Sequence, residues 1–146
     1  MKIINEMSLV IPSCSSNESF ARVAVSAFVT QLDPTIDEIT DIKTAVSEAV
    51  TNCIVHAYKD GIGKIHIKAR LFDGNRVFVS IRDTGCGIDD IPQALEPMFT
   101  TAGGERAGLG FAVMESFMDK LKVTSKVGKG TTVRLEKALR LRVKNG

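Results

Sequence analysis

Two short runs with a period of two, Ile65, Ile67, Ala69, Leu71 and then Val77, Val79, Ile81, constrain this 146-residue chain most. Alternation sends their apolar side chains to one face of an extended strand. Asp73-Gly74-Asn75 between them reads as a hairpin turn. A sheet with one apolar face must be covered, and helical patterns lie on both sides of the hairpin. Met7 to Ile11 reads as a first strand. Ser16 and Asn17 are cap residues before an apolar face of Phe20, Val23, Ala24, Ala27, Phe28 and Leu32, which Asp33-Pro34 ends. Thr35-Ile36-Asp37-Glu38 is a capping box. It opens a second helix with Ile39, Ile42, Val46, Val50, Cys53 and Ile54 inward, ended by Asp60-Gly61-Ile62-Gly63. Helical spacing returns at Leu109, Phe111, Met114, Phe117 and Met118. A last hairpin joins Leu121–Ser125 to Thr131–Leu135 across Val127-Gly128-Lys129-Gly130. Helices cannot thread between all of these strands. The pattern predicts an α+β fold: a two-layer sandwich of a mixed, mostly antiparallel sheet with helices on one face.

The length implies a single domain over residues 1–146. Its basic tail, about residues 137–146 with Lys137, Arg140, Arg142 and Lys144, reads as a solvated end. A net charge of +2 and a pI near 8.5 give no argument for direct contact with nucleic acid. No apolar run reaches the ~18 residues of a membrane span, and Met1 to Glu6 lacks a signal peptide's apolar stretch. Cys14, Cys53 and Cys86 are odd in number and far apart. They fit reduced thiols in a cytoplasm better than a disulfide frame or a zinc site.

Three motifs carry chemistry. Glu48 and Asn52 are four apart, so a helix projects both from one face. A carboxylate and a carboxamide there suit Mg²⁺ and a polarised hydroxyl, although alone the pair reads more readily as an exposed polar stripe. Asp83 ends a strand and can accept a hydrogen bond from an exocyclic amine. Asp83-Thr84-Gly85 is also the triplet of aspartic proteases, which need two aspartates sharing a proton and would here need a dimer. Gly85-Cys86-Gly87 alone is a strand-ending turn. Gly108-Leu109-Gly110 lacks the third glycine of a dinucleotide fingerprint and follows a loop. Gly128-Lys129-Gly130-Thr131 lacks the first glycine of a P-loop and sits in a hairpin. From Gly85 to Gly108, with Pro92, Pro97 and Gly103-Gly104, periodicity is weak. So long an irregular stretch in a small domain is usually functional.

In their order these pieces resemble the Bergerat-fold ATP-binding superfamily of gyrase, the heat-shock chaperone, sensor histidine kinases and mismatch-repair ATPases. Glu48 to Asn52 is similar to its N box, Asp83 to Gly87 to its first glycine box, Gly108 to Gly110 to its second, and Gly130-Thr131-Thr132 to its closing Gly-Thr pair. Within the superfamily four stretches narrow the match: Asn17 to Arg22, Val46 to Asn52, Phe99-Thr100-Thr101 and Met114 to Asp119. They resemble the sporulation anti-sigma factors that hold sigma-F, over residues 5 to about 135.

That resemblance implies a cytoplasmic homodimer that binds a sigma factor, binds ATP or ADP with Mg²⁺, and phosphorylates a serine of its anti-anti-sigma antagonist. A histidine kinase would need a further phosphoacceptor hairpin. The family roles fall on Asp83 for the adenine amine with Thr131 beside it, and on Gly85 and Gly87 for backbone passing the base. They fall on Asn52 for Mg²⁺, on Thr100, Thr101, Gly108, Leu109 and Gly110 for nucleotide, and on Arg106 for the γ-phosphate. Glu48 is the implied base, and Arg22, with Glu18, the implied docking position. An ordinary i,i+4 ion pair is the competing reading of Glu18 and Arg22. The lid, Thr101 to Arg106, is short and glycine-rich for the family. The alternatives are a general-stress anti-sigma kinase and a non-catalytic ATP-gated binding module.

Overall fold

A computed structural model describes residues 1–58, 61–88 and 106–141, the first four of the last segment as backbone. Five strands form one sheet in the order β1-β2-β3-β5-β4: β1 Ile3–Pro12, β2 Lys64–Phe72, β3 Arg76–Asp83, β4 Lys120–Lys126 and β5 Gly130–Ala138. Every neighbouring pair is antiparallel. The helices are α1 Ser16–Val29, α2 Ile36–Asn52 and α3 Arg106–Phe117. The expected α+β sandwich is therefore observed, with a sheet that is antiparallel throughout. Among the described residues no helix is long and apolar enough to cross a membrane.

The period-two runs fold as read. Ile65, Ile67, Ala69, Leu71, Val77, Val79 and Ile81 are buried, and Phe72 pairs with Arg76 across a turn in which Gly74 and Asn75 take positive φ. β1 is longer than Met7–Ile11 because it pairs with β2 along its length, from Ile3 opposite Phe72 to Pro12 opposite Lys64. β5 lies between β3 and β4. This insertion sets Asp83 opposite Thr131, and Thr131 opposite Ser125, in one row at the end of the sheet.

The capping box at the start of α2 is present: Glu38 N donates to Thr35 Oγ1 at 3.1 Å, and Thr35 N to Glu38 Oε1 at 2.8 Å. The second Glu38 oxygen accepts the Arg140 backbone N–H at 2.7 Å, tying α2 to the end of β5. Burial works against the charge on Glu38, but the hydrogen bonds from Thr35 and Arg140 prevail and hold its carboxyl below the usual value.

Two expectations change. On α1 the buried side chains are Ala21, Val25 and Val29, while Phe20 and Val23 are 51% and 55% exposed. The helix is apolar on two sides, and the side with small residues at i, i+4 and i+8 packs closest. Ser16 and Asn17 do not cap it, since Asn17 Nδ2 donates to Pro12 O at 2.9 Å. Nor does a solvated tail begin at residue 137. Lys137 lies in β5, with Nζ 2.8 Å from Phe117 O at the end of α3 and 3.4 Å from Asp41, and Leu139 is buried. A cation at a helix C-terminus is favourably placed.

Thr35→Ala removes the cap acceptor and is expected to cost about 1 kcal/mol of stability. A lowered urea midpoint with an unchanged slope is the expected reading.

Candidate nucleotide site

Asp83 is 6% exposed at the inner end of β3. A buried carboxylate needs donors, and three separate elements supply them. Gly85 N and Thr131 N reach Oδ1 at 3.0 and 3.2 Å. The Cys53 thiol donates to Oδ2 at 3.5 Å. Burial raises the Asp83 pKa above the ordinary carboxylate value, and the hydrogen bonds from Gly85, Cys53 and Thr131 offset part of the rise. Burial first, then the neighbouring Asp83 charge, pushes the Cys53 thiol well up, so it stays a protonated donor. The carboxylate keeps acceptor capacity for a further N–H. The aspartic-protease reading fails here, because Asp83 is buried and engaged by its own chain.

Cys53 still continues the hydrogen-bond ladder of α2, its N–H directed to Ala49 O. Residues Cys53–Ala57 form a π-helical turn. The Ala57 carbonyl accepts the Cys86 N–H at 2.9 Å, and Gly128 N donates to Cys86 O at 2.8 Å. The Gly85–Gly87 loop is thus clasped between this turn and the β4–β5 hairpin. A Cβ on Gly85 would collide with the Ala57 carbonyl. Tyr58 closes the side: its hydroxyl donates to Lys64 O at 2.6 Å and accepts from Thr84 N at 2.8 Å. Thr131 adds a hydroxyl bonded to Ser125 Oγ at 2.7 Å.

Glu48 and Asn52 do share one face of α2, and it meets α3. A Cβ on Gly110 would lie 3.2 and 3.3 Å from Asn52 Oδ1 and Nδ2, and 3.3 Å from Glu48 Oε2. Both polar atoms of the Asn52 side chain are shielded from solvent and lack a hydrogen-bond partner among the described residues. Such a group is costly unless something completes it. The donor set suits Mg²⁺-bound phosphate, which takes hard oxygen ligands and few from protein. Among the described residues no cluster of three His, Cys, Asp or Glu could hold a metal.

α3 begins at Arg106, earlier than the Leu109 read from the pattern, so Gly108 and Leu109 fall in its first turn. The free amides at its start belong to Arg106 through Gly108, and Gly110 is instead the contact with Asn52 and Glu48. Thr100, Thr101 and the side chain of Arg106 lie outside the described residues. Gly87 lies in the clasped loop with φ 78°.

Arg22 and Glu48 open on one cleft between α1 and α2, together with Thr40, Lys43, Thr44 and Ser47. Arg22 Nε is 3.6 Å from Glu18 Oε1, an ion-pair distance without a hydrogen bond from that nitrogen. Glu18 accepts a short hydrogen bond from the Ser47 hydroxyl. The i,i+4 pair is real, and it leaves the guanidinium with spare donors.

A family model for the histidine kinase-like ATPase domain matches residues 14–137. A protein of Thermoanaerobacter sp. strain X514 named anti-sigma F factor is 57% identical over 94% of this chain and 96% of its own length. One of the same name from Bacillus subtilis strain 168 is 52% identical over 92% of this chain and 93% of its own. The chain belongs to the anti-sigma F factor family of histidine kinase-like ATPase domains. A crystal structure of the RsbU and RsbW domains of a Mycobacterium tuberculosis protein superposes with a TM-score of 0.69 at 20% identity, over 92% of this chain and 32% of that one. At that identity the likeness is one of fold. Sequence reasoning treated Cys53 as core only and did not single out Tyr58 or Ser125. Cys53 follows Asn52 directly, but nothing local in the sequence signals that its thiol meets Asp83.

Asp83 titrates against the usual sign. Its folded pKa is raised above 3.8, so the folded state holds the proton more tightly and stability falls as pH rises from about 3.8 through the folded value. Asp83→Asn removes that penalty. The ligand-free variant is expected to be at least as stable as the parent at pH 7 by thermal melting. Its ATP affinity should fall by about 1.5–3 kcal/mol, the range for a charged hydrogen bond, by calorimetry.

Proposed function

We propose that this chain inhibits a sigma-F-type sigma factor by binding it, and that with ATP and Mg²⁺ it phosphorylates a serine of the antagonist that releases the sigma factor. One observation carries the catalytic half: Glu48 lies between two features, the orphaned Asn52 amide on one side and the cleft holding Arg22 on the other. A protein docked at Arg22 can then present a hydroxyl to Glu48 beside the phosphate end of the site. The names of the relatives at 52–57% identity support the sigma-factor half.

Bound Mg-ATP supplies the phosphoryl group and neutralises charge on the phosphates. The rest belongs to the chain. Asp83 accepts from the adenine amine, and its buried setting favours a base with an amine at that edge. Asn52 offers Oδ1 as a hard ligand and Nδ2 as a donor. The amides that open α3 suit phosphate oxygens. Glu48 accepts the serine proton as the hydroxyl oxygen bonds to the γ-phosphorus and the bond to the ADP oxygen breaks. Positioning and electrostatics carry most of the barrier in phosphoryl transfer, so Glu48 acts mainly by orienting the hydroxyl and taking its proton.

A positioned base gives about 10²–10⁴-fold. Glu48→Gln should therefore keep ATP and sigma-factor binding while transfer of labelled phosphate to the antagonist drops by about that factor. A wild-type chain that binds both and transfers nothing would leave the non-catalytic ATP-gated binder. Arg22→Ala should weaken capture of both proteins about tenfold or more, as loss of an interface arginine does, with ATP affinity unchanged. Undiminished capture would reduce Arg22 to the ion-pair partner of Glu18.

A further inference from the structure

The helices cover one face of the sheet, and the other face carries a segregated charge. Inward residues alternate with outward ones along every strand. The outward positions of β2 include Lys64, Lys68 and Arg70, and those of β3 include Arg76 and Arg82. β5 adds Arg134, and β4 adds Lys120, Lys122 and Lys126. Against these nine cations stand Glu6 on β1 and Glu136 on β5, which leaves +7 on a face of a chain whose total is +2. Among the described residues one ion pair is made there, Arg70 to Glu6 at 3.0 Å. The whole-chain charge, which gave no argument for nucleic acid, averages over this segregation.

The arrangement repels itself. Arg134 stands directly opposite Lys122, and His66 directly opposite Arg82, with Lys64 and Lys68 two residues away on its own strand. Like charges facing across strands destabilise a sheet. Burial, then the charges of Arg82 and Lys64, pull His66 below its ordinary pKa, so the site resists even one more proton. Five strands about 4.8 Å apart and about eight residues long give a face of about 650 Å². At its centre Phe78 lies under the Arg70 guanidinium, 5.9 Å from ring centroid to charge, and Phe72 stands at its edge. One end runs into a cleft lined by Arg82, Lys126 and Lys129 with Thr124 and Thr132, and also by Asp83, Ser125 and Thr131 of the candidate nucleotide site.

We propose that this open sheet face binds single-stranded nucleic acid through its phosphates, with Phe78 as a stacking platform. Lysine is depleted from the centres of protein interfaces, whereas nucleic-acid interfaces are strongly positive. Aromatic rings among cations suit unpaired bases. A duplex keeps its bases stacked inside, whereas unpaired bases can reach the rings of Phe78 and Phe72. Phosphate contacts without base-edge readout imply weak, sequence-tolerant binding that depends steeply on salt.

The test is fluorescence anisotropy of a labelled 20-mer oligothymidine with the full chain at 50 and 200 mM salt. Binding at 50 mM that falls about 100-fold by 200 mM is expected if about five phosphates are neutralised. Lys68→Glu with Arg134→Glu should weaken it at least tenfold. Phe78→Ala should weaken it several-fold without changing the salt slope. Unchanged ATP affinity shows that each variant is folded. No binding at 50 mM, or equal binding by the double variant, overturns the proposal. So does capture of polyglutamate or of phosphatidylserine vesicles that the oligonucleotide cannot displace, which would assign the face to an acidic protein or a lipid surface.

Discussion

Burying one carboxylate at the end of the central strand is the constraint that the rest of the structure serves. Asp83 has water on almost no side, and its donors come from the turn after α2, from the loop after β3, and from β5. Those three elements must converge at one point. The strand order makes this possible, because β5 folds back between β3 and β4 rather than adding at the edge. A buried carboxylate whose pKa is raised even though three donors engage it fits the proposed role of Asp83 as a ligand contact. Perturbed groups of this kind gather where function needs them.

α2 transmits that arrangement to the rest of the molecule. Its first turn is fixed by Thr35 and Glu38, and Glu38 also holds the end of β5. Its last turns carry Glu48 and Asn52 against Gly110, then Cys53 against Asp83. One helix thus carries Glu48, Asn52 and Cys53, and through Ser47 and Glu18 it reaches Arg22. The proposed docking position and the proposed nucleotide residues therefore share one helix.

Most of the fold was legible in the sequence because its signals were local. Alternation fixed β2 and β3, Asp73-Gly74-Asn75 their turn, and Thr35 with Glu38 the start of α2. The pairing of Glu48 with Asn52 came from spacing alone. What escaped depends on tertiary packing. α1 offers two apolar sides, and only the approach of its neighbours selects Ala21, Val25 and Val29. Lys137 looked like tail because charge suggests solvent, yet its ammonium caps α3. Cys53 looked like core, and it is core, but its thiol also meets Asp83. The charged sheet face was invisible because composition sums over both layers of the sandwich, while alternation separates them.

The π-helical turn Cys53–Ala57 has a consequence for how such chains can change over time. A turn of this kind holds one residue more than an α-helical turn needs. That surplus sets the phase between α2 and the segment after it, which brings Ala57 to the glycine loop and Tyr58 over Thr84. Removing one residue would leave hydropathy and helicity almost intact, yet rotate everything downstream by about 100°. Side-chain identities within the turn can drift more freely than its length. An insertion or deletion between Cys53 and Tyr58 would misplace Ala57 and Tyr58, and would be far less tolerable than the same event in the β2–β3 hairpin.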